Sequence, residues 1–334
     1  MTTEQNASAA ADDPGEFGRI RRYFAPLAGP GGLGLLDDAA LVECRAGHRL
    51  VMTADAIVAS VHFLPDDPPE LVAKKLLRVN LSDLAAMGAR PLHYLLTTAL
   101  PASLGADWVE AFARGLGEDQ RLYGVSLIGG DSVSTSGPAA LSLTAIGEVA
   151  AGAEIRRSGA RAGDEVWVSG TIGDAFLGLG ALRGEYPRLA AEHRAELTGR
   201  FRLPQPRVDL GPALAGIAQA MIDVSDGLLA DLGHVCETSH VGAVVELPAL
   251  PLSAAARAVL ALDPGVAPRL ASGGDDYELL FTAGPEAAAA IRALGAQLGV
   301  GATRIGRIEA GDGVRLVDGA GRDVAVETPG YRHF

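Results

Sequence analysis

The stretch RVNLSDLAAMGARP, residues 78–91, is a run of small and apolar residues that polar side chains interrupt. Asn80 and Asp83 are three positions apart, so on a helix both project from one face while Leu81 packs elsewhere. A single polar position of this kind is more typical of a helix cap, a role open to Ser82 or Asp83, than of a ligand. The stretch therefore predicts a packed helix. Whether Asp83 is a cap or a ligand depends on which other polar residues the chain contains.

The surrounding segments alternate between strand and helix patterns. The runs at 50–58 and 140–149 predict strands, and the runs at 69–88 and 106–123 predict helices. The run VSLIGGDSV, residues 125–133, predicts a strand that leads into a glycine turn. We therefore expect an α/β (α+β) fold.

A domain boundary is predicted near residue 150, where glycines and a new strand pattern at 165–169 follow. Further helices are predicted at 174–183, 212–220 and 225–238. A chain of 334 residues, 48% of them hydrophobic, is long enough to form two domains that each bury a core.

Charge and composition exclude several classes of protein. The net charge of −13 argues against nucleic acid and anionic membranes as partners, because both need a basic surface. No apolar run reaches the ~18 residues that a membrane helix needs. The first 14 residues are polar and lack the pattern of a secretory leader, so we expect a disordered tail at 1–14 and a cytoplasmic protein. Cys44 and Cys236 have no CxxC partner, so neither a disulfide framework nor a zinc site is predicted.

Aspartates recur at the ends of apolar runs. They are Asp37, Asp38, Asp55, Asp83, Asp131, Asp223, Asp226, Asp275 and Asp276. Each alone is more typical of a turn or a cap, but together they repel one another and have too few basic residues to pair with. Carboxylates without cysteine or histidine suit magnesium, which in proteins commonly joins carboxylates to substrate phosphates. The pattern therefore indicates phosphoryl transfer.

The phosphate-binding part of such a site is less obvious. The loop GxxxxGK[ST] is absent, since the only lysines are Lys74 and Lys75 and neither follows a glycine loop. Backbone amides at Gly129 and Gly130 could instead approach phosphate oxygens, with Arg156 or Arg157 supplying positive charge.

Nine short motifs, in order along the chain, resemble those of the thiamine-monophosphate kinases. They are GEFGRIRRYF (15–24), DDAAL (37–41), TAD with VHFLP (53–65), VNLSDLAAMGARP (79–91), LIGGDS (127–132), RRSGARAGDEVWVSGTIGDA (156–175), IDVSDGLLADLGH (222–234), SGGDDYELLF (272–281) and GYRHF (330–334). The resemblance implies a two-domain fold like that of aminoimidazole-ribonucleotide synthetase and a homodimer. It further implies an N-terminal domain at 15–150 that binds ATP and magnesium and dimerises, a C-terminal domain at 151–334, several Mg²⁺ ions, and thiamine monophosphate and ATP as substrates.

The same resemblance implies roles for individual residues. The implied metal ligands are Asp38, Thr53, Ala54, Asp55, Asp83, Asp131, Asp223 and Asp226. The implied ATP contacts are Gly130, Asp131, Arg157 and Ser225, and the implied substrate contacts are His62, Asp275 and Thr328. Among the metal ligands, Asp83, Asp131 and Asp226 are expected to matter most for catalysis.

Four positions depart from the family pattern. Leu36 stands where a glycine is common, Ala54 where a threonine is, Asp275 where a glutamate is, and Thr328 where an aromatic residue is. We expect these changes to alter metal and substrate affinity without abolishing function. Two alternatives remain. Another ATP-dependent enzyme of the superfamily, with a different acceptor, would share the aspartates, and a non-catalytic protein that binds nucleotide or thiamine phosphate would fit the changes at Leu36, Ala54 and Asp275.

Overall fold

The structure, a computed structural model, describes residues 18–331. The predicted tail at 1–14 and the ends of the first and last motifs lie outside this range. The chain divides into two compact units. The first extends to Asn80 and includes Pro91–Glu148, and the second comprises Leu81–Arg90 and the chain from Val149 onward.

The first unit is built on a four-stranded sheet. Its strands are β1 (His48–Val58), β2 (Arg90–Pro101), β3 (Ser126–Thr135) and β4 (Ala140–Ala150), in the order β1-β4-β2-β3. Its helices are α1 (Pro69–Ala86), whose last turns group with the second unit, and α2 (Ala106–Tyr123). A π-helical turn at Ile20–Phe24 and 3₁₀ turns at Ala25–Leu27 and Pro30–Leu35 precede β1. Strands β2 and β3 are parallel, and α2 makes the crossover between them.

One face of this sheet is buried and the other is open. In β2 the side chains of Tyr94, Leu96 and Leu100 are buried, whereas Thr97 between them is exposed. This alternation is the period of two that a strand imposes. The helices α1 and α2 pack so closely at Gly115 that a Cβ on this residue would lie 2.4 Å from the carbonyl oxygen of Glu70. Glycine permits this contact because it has no side chain.

The second unit is built on a six-stranded sheet in the order β10-β7-β9-β5-β8-β6, antiparallel except for the β10–β7 pair. Its strands are β5 (Glu165–Ser169), β6 (Ala220–Asp223), β7 (Gly242–Glu246), β8 (Leu279–Ala283), β9 (Ala302–Glu309) and β10 (Val314–Val317). Its helices are α3 (Asp174–Leu182), α4 (Ala191–Arg202), α5 (Leu210–Ala213), α6 (Leu228–Ser239), α7 (Ala254–Leu262), α8 (Ala267–Leu270) and α9 (Ala288–Leu298). Short 3₁₀ turns lie at Leu247–Ala249, Pro264–Val266 and Pro285–Ala287.

Both faces of the second sheet are buried. In β5, Val166 and Val168 belong to one hydrophobic core, which α6 also lines, and Trp167 belongs to the core on the opposite face. Strands covered on both sides are apolar at nearly every position, which explains why all five residues of β8 are buried and only Thr282 among them is polar. The predicted α/β (α+β) class is confirmed. No helix in residues 18–331 is long and apolar enough to cross a membrane.

The glycine turn predicted after the strand at 125–133 is wrong, because β3 continues through Gly129 and Gly130 to Thr135. Gly130 has a φ of 150°, and a Cβ on it would lie 1.8 Å from the carbonyl oxygen of Leu96. The glycine therefore permits the close approach of β2 and β3, where the ladder has an irregular register. As a consequence Asp131, like Asp55 in β1, lies within a strand and not at its end.

Two helix predictions in the second unit also need correction. The helix predicted at 212–220 is a single turn, α5, followed by turns that include Gly216 at a φ of 77° and by β6. The helix predicted at 225–238 begins at Leu228, because the preceding residues form a separate loop.

Candidate functional site

The strongest candidate for a functional site in the second unit is the loop of residues 224–227, between β6 and α6, which we call the 224–227 loop. Asp223, the last residue of β6, is 3% exposed, and its Oδ2 accepts a 2.6 Å hydrogen bond from the hydroxyl of Ser82. Ser82 precedes the half-buried Asp83 on α1. Residues 81–90 therefore include a direct contact with the predicted ligand Asp223.

The neighbouring segment 275–278 is joined to this loop through the backbone. The N–H groups of Asp275 and Tyr277 donate to the carbonyl oxygens of Ser225 and Val224, both at 2.8 Å. Asp275 and Tyr277 both have left-handed backbone conformations, with φ of 71° and 52°. Such conformations cost energy for residues other than glycine and persist only where the surroundings fix them. The pairing therefore places the predicted substrate contact Asp275, which is half-buried, beside Ser225.

The other two acids of this segment face the interior. Asp276 accepts hydrogen bonds from the N–H groups of Gly173 at 2.6 Å and Ala175 at 3.1 Å. Burial raises the pKa of Asp276 to about 8, against the effect of these two hydrogen bonds. Glu278 is fully buried and accepts hydrogen bonds from Arg200, Arg207 and Ser169. Asp276 and Glu278 therefore have structural roles, because their hydrogen bonds join separate segments of the second unit. Of the three acids, Asp275 is the one that is partly open to solvent.

Asp231, in the first turn of α6, is a residue that the sequence analysis did not single out. It is 2% exposed, and burial together with the nearby charge of Asp226 raises its pKa to about 7. Its carboxylate accepts hydrogen bonds from consecutive backbone N–H groups of the 224–227 loop. The signal was present in the sequence, since an acid four residues after Gly227 lies one helical turn away and can fold back on the start of the helix.

A cavity of about 1120 Å³ adjoins the loop beside α6. It is lined by Asp226, by residues of α6 and β10, and by Gly330 and Tyr331 near the end of the described chain. The N–H of Tyr331 donates to the carbonyl oxygen of Asp226 at 2.9 Å. Thr328, predicted to contact substrate, is exposed two residues before Gly330.

Arg157, predicted to contact ATP, is exposed beside β6. The carbonyl of the preceding residue, Arg156, accepts a hydrogen bond from the N–H of Met221, two residues before Asp223. The carbonyl of Arg157 itself accepts from the hydroxyl of Ser239. The arginine backbone is thus fixed while its side chain projects into solvent.

The predicted site residues of the first unit are spread over its sheet. Asp55 is half-buried in β1, where its N–H donates to Oδ1 of Asn80 at 3.0 Å. Asp131 is exposed in β3, in register with Thr97 on the open face of the sheet. Strands β1 and β3 form opposite edges, so about three strand spacings, or roughly 14 Å, separate the strands that carry these two carboxylates. At that separation two aspartate side chains of one sheet do not reach a common ion.

The remaining predicted residues lie around this sheet. Thr53 is half-buried in β1 and Ala54 points to its exposed face, while Asp38 and Gly130 are exposed. His62 is half-buried, and its Nδ1 accepts a 3.1 Å hydrogen bond from the N–H of Val58. This bond fixes the orientation of the ring.

The chemistry of the carboxylates fits magnesium. In the described part of the chain, no group of three or more His, Cys, Asp or Glu side chains is close enough to hold a metal ion. Asp38, Asp131 and Asp226 form no ion pair with a lysine or arginine among residues 18–331. Carboxylates that lack a basic partner suit a hard cation. The assignment of the individual ligands remains a prediction.

Family models match both halves of the chain. The model described as AIR synthase related protein, N-terminal domain, matches residues 36–149, and the model of the corresponding C-terminal domain matches residues 161–319.

Individual relatives match over nearly the full length. The chain is 45% identical to a thiamine-monophosphate kinase of Caulobacter vibrioides, over 98% of this chain and 93% of the relative. A crystal structure of thiamine-monophosphate kinase from Stenotrophomonas maltophilia is 42% identical, with a TM-score of 0.78 over 89% of this chain and 93% of that one. A structure of AaThiL complexed with AMPPCP and TMP is 31% identical, with a TM-score of 0.77 over 91% of this chain and 97% of that one.

Proposed function

The chain belongs to the AIR synthase related proteins and, among them, to the thiamine-monophosphate kinases, and we propose that it transfers the γ-phosphoryl group of ATP to thiamine monophosphate. The product is thiamine diphosphate, and the protein is an enzyme of thiamine diphosphate biosynthesis. The observation that carries this proposal is the likeness to thiamine-monophosphate kinases over 98% of the chain, which includes both units. A structural relative that is complexed with AMPPCP and TMP supports the same pair of substrates.

The mechanism follows from the nature of the acceptor. A phosphate oxygen of thiamine monophosphate is already anionic, so it can attack the γ-phosphorus in line without a general base. Catalysis then depends on holding the two phosphates close together and on neutralising their charge. We assign ATP contacts to Gly130, Asp131, Arg157 and Ser225. We assign substrate contacts to His62, Asp275 and Thr328.

Magnesium is part of the proposal. The residues that would hold it are Asp38, Thr53, Ala54, Asp55, Asp83, Asp131, Asp223 and Asp226. Thr53 and Ala54 would bind through their backbone carbonyl oxygens. When bound, magnesium supplies neutralisation of phosphate charge. The carboxylates of Asp38, Asp131 and Asp226, which lack a basic partner in the described residues, support this assignment.

We further propose a homodimer that forms through the N-terminal domain, residues 15–150, with the C-terminal domain at 151–334. Two features of the first unit support it. Met52 and Val133, on the edge strands β1 and β3, are 63% and 48% exposed, so both edges of the sheet present apolar surface that a second copy of the chain could cover. The separation of Asp55 and Asp131 within one sheet also means that a single site using both would need a second copy of the chain. Sedimentation should give twice the chain mass of 34.2 kDa.

Phosphorus NMR of the purified protein with ATP, magnesium and thiamine monophosphate tests the function. We expect thiamine diphosphate and ADP to appear in equal amounts, and we expect Asp83→Asn to lose both. Consumption of ATP without thiamine diphosphate would instead identify a related enzyme with another acceptor. Ligand binding by calorimetry with no turnover would identify a non-catalytic homologue.

A further inference from the structure

We propose that Asp231 is a positioning residue that holds the 224–227 loop in the shape that presents Ser225 and Asp226 to their ligands. The proposal rests on the proposed function, because those ligands are the nucleotide and magnesium of the kinase reaction. Asp231 contacts neither the nucleotide nor magnesium, and it acts through the backbone of the loop.

One carboxylate oxygen of Asp231 satisfies three consecutive donors. Its Oδ2 accepts hydrogen bonds from the N–H groups of Ser225 at 3.0 Å, Asp226 at 3.1 Å and Gly227 at 3.1 Å. The residue at the N-terminal cap of α6 is Gly227, which has no side chain to satisfy the free amides at the helix start. The side chain of Asp231, in the first turn of α6, accepts these hydrogen bonds instead.

The other polar groups of the loop backbone are also paired within the chain. The N–H of Val224 donates to the carbonyl of Glu278, and the four loop carbonyls accept from the N–H groups of Tyr277, Asp275, Tyr331 and Asp231. All four N–H groups and all four carbonyls of residues 224–227 thus have a partner. Three of those eight groups depend on the carboxylate of Asp231.

This arrangement determines how the loop can bind a nucleotide. Successive N–H groups at a helix start normally form a site for phosphate. In this chain the carboxyl group of Asp231 occupies that position, so these N–H groups are not open to the phosphates of ATP. We therefore assign the contacts with nucleotide and magnesium to the side chains of Ser225 and Asp226. Asp226 lines the cavity beside α6.

The test compares Asp231→Asn and Asp231→Ala with the wild-type enzyme and with Asp164→Asn. Asp164 is a matched control, because it is also buried and accepts a backbone N–H, that of Arg161, away from the loop. Hydrogen exchange is measured for the amides of residues 225–227, and calorimetry measures the affinity for AMP-PCP with magnesium. Steady-state kinetics give kcat and the KM for thiamine monophosphate.

We expect both Asp231 variants to exchange the three loop amides at least about tenfold faster, while amides of β8 keep their protection. AMP-PCP affinity and kcat should fall about 10- to 100-fold, the range for partners that orient a ligand-binding group, with KM for thiamine monophosphate changed less than about threefold. Should Asp231→Ala fail to fold, Asp231→Asn decides, because asparagine keeps the size of the side chain while its neutral amide oxygen accepts the three N–H groups less strongly than a carboxylate oxygen does. Unchanged loop exchange and AMP-PCP affinity in Asp231→Asn would overturn the proposal, as would equal losses in Asp164→Asn. If the wild type binds AMP-PCP but forms no thiamine diphosphate, the proposed function fails while exchange and binding still decide the role of Asp231.

Discussion

The hydroxyl of Ser82 donates a 2.6 Å hydrogen bond to Oδ2 of Asp223 across 141 residues of sequence. The bond fixes the end of β6 to the helix that carries Asp83, and both partners are buried. Hydrogen bonds to charged groups contribute about 1.5–3 kcal/mol each. Two of the predicted metal ligands, Asp83 and Asp223, are therefore held near one another by a residue that is not itself a ligand.

Replacing this hydroxyl should weaken both stability and binding. We expect Ser82→Ala to lower the free energy of unfolding by about 1.5–3 kcal/mol, because the buried carboxylate loses a donor. Urea denaturation measures this change, and calorimetry should show weaker binding of AMP-PCP with magnesium. Ser103→Ala, at an exposed turn, is the control and should stay within about 0.5 kcal/mol. Equal stability of the two variants would contradict the role given to Ser82.

Glu278 should be among the most sensitive positions for stability. It is fully buried and accepts hydrogen bonds from Arg200 at 2.8 Å, from Nε of Arg207 at 2.6 Å and from Ser169 at 2.6 Å. Glu278→Gln removes the charge that compensates both arginines, so we expect a loss of about 3 kcal/mol in unfolding free energy. Arg322→Gln breaks a pair whose arginine is 80% exposed and should cost less than about 1 kcal/mol. Similar losses in the two variants would show that Glu278 is not the centre of a network.

The pKa of Asp276 predicts a dependence of stability on pH. Burial raises this pKa from 3.8 to about 8 in the folded chain, so the folded state binds the proton more tightly than the unfolded state. The resulting stabilisation is complete below about pH 4 and is lost as the pH rises through about 8. Urea denaturation at several pH values should show unfolding free energy falling over this window more steeply in the wild type than in Asp276→Asn. Parallel pH profiles would refute the assignment.

The sequence predicted the elements better than their connections. The helix at 106–123 has the predicted bounds because its apolar periodicity is long and regular, and the strand at 165–169 has them because its apolar run is flanked by glycines. The turn predicted at Gly129 was wrong because a glycine that allows a turn and one that allows close strand approach look identical in sequence. Asp231 was missed although its spacing from Gly227 was a signal, because its partners are backbone N–H groups, which no residue type marks in the sequence. The family motifs predicted the site residues. They could not predict the contacts that bring distant segments together, such as the hydrogen bond between Ser82 and Asp223.

Gly130 should not tolerate a side chain. Its φ of 150° disfavours other residues, and a Cβ would overlap the carbonyl oxygen of Leu96 at 1.8 Å. We expect Gly130→Ala to lose at least about 2 kcal/mol of unfolding free energy and to displace the adjacent Asp131. Gly137→Ala is the matched control, since its nearest atom, Oγ1 of Thr135, would lie at an ordinary 3.5 Å. If thermal denaturation gives the same midpoint for both variants, the packing explanation for Gly130 fails.

Asp83 and Asp226 should matter for turnover more than for folding. Both are partly open to solvent, so replacing either by the isosteric asparagine removes a charge without leaving a cavity. If these carboxylates position and neutralise the reacting phosphates, Asp83→Asn and Asp226→Asn should each lower kcat at least about 100-fold, the scale for one preorganised electrostatic group. The measurement is thiamine diphosphate formation under saturating ATP and magnesium, with Asp107→Asn on the exposed start of α2 as the control. Near-normal turnover in both variants would remove these residues from the reaction and leave Asp38, Asp55, Asp131 and Asp223 as the remaining carboxylates for the site.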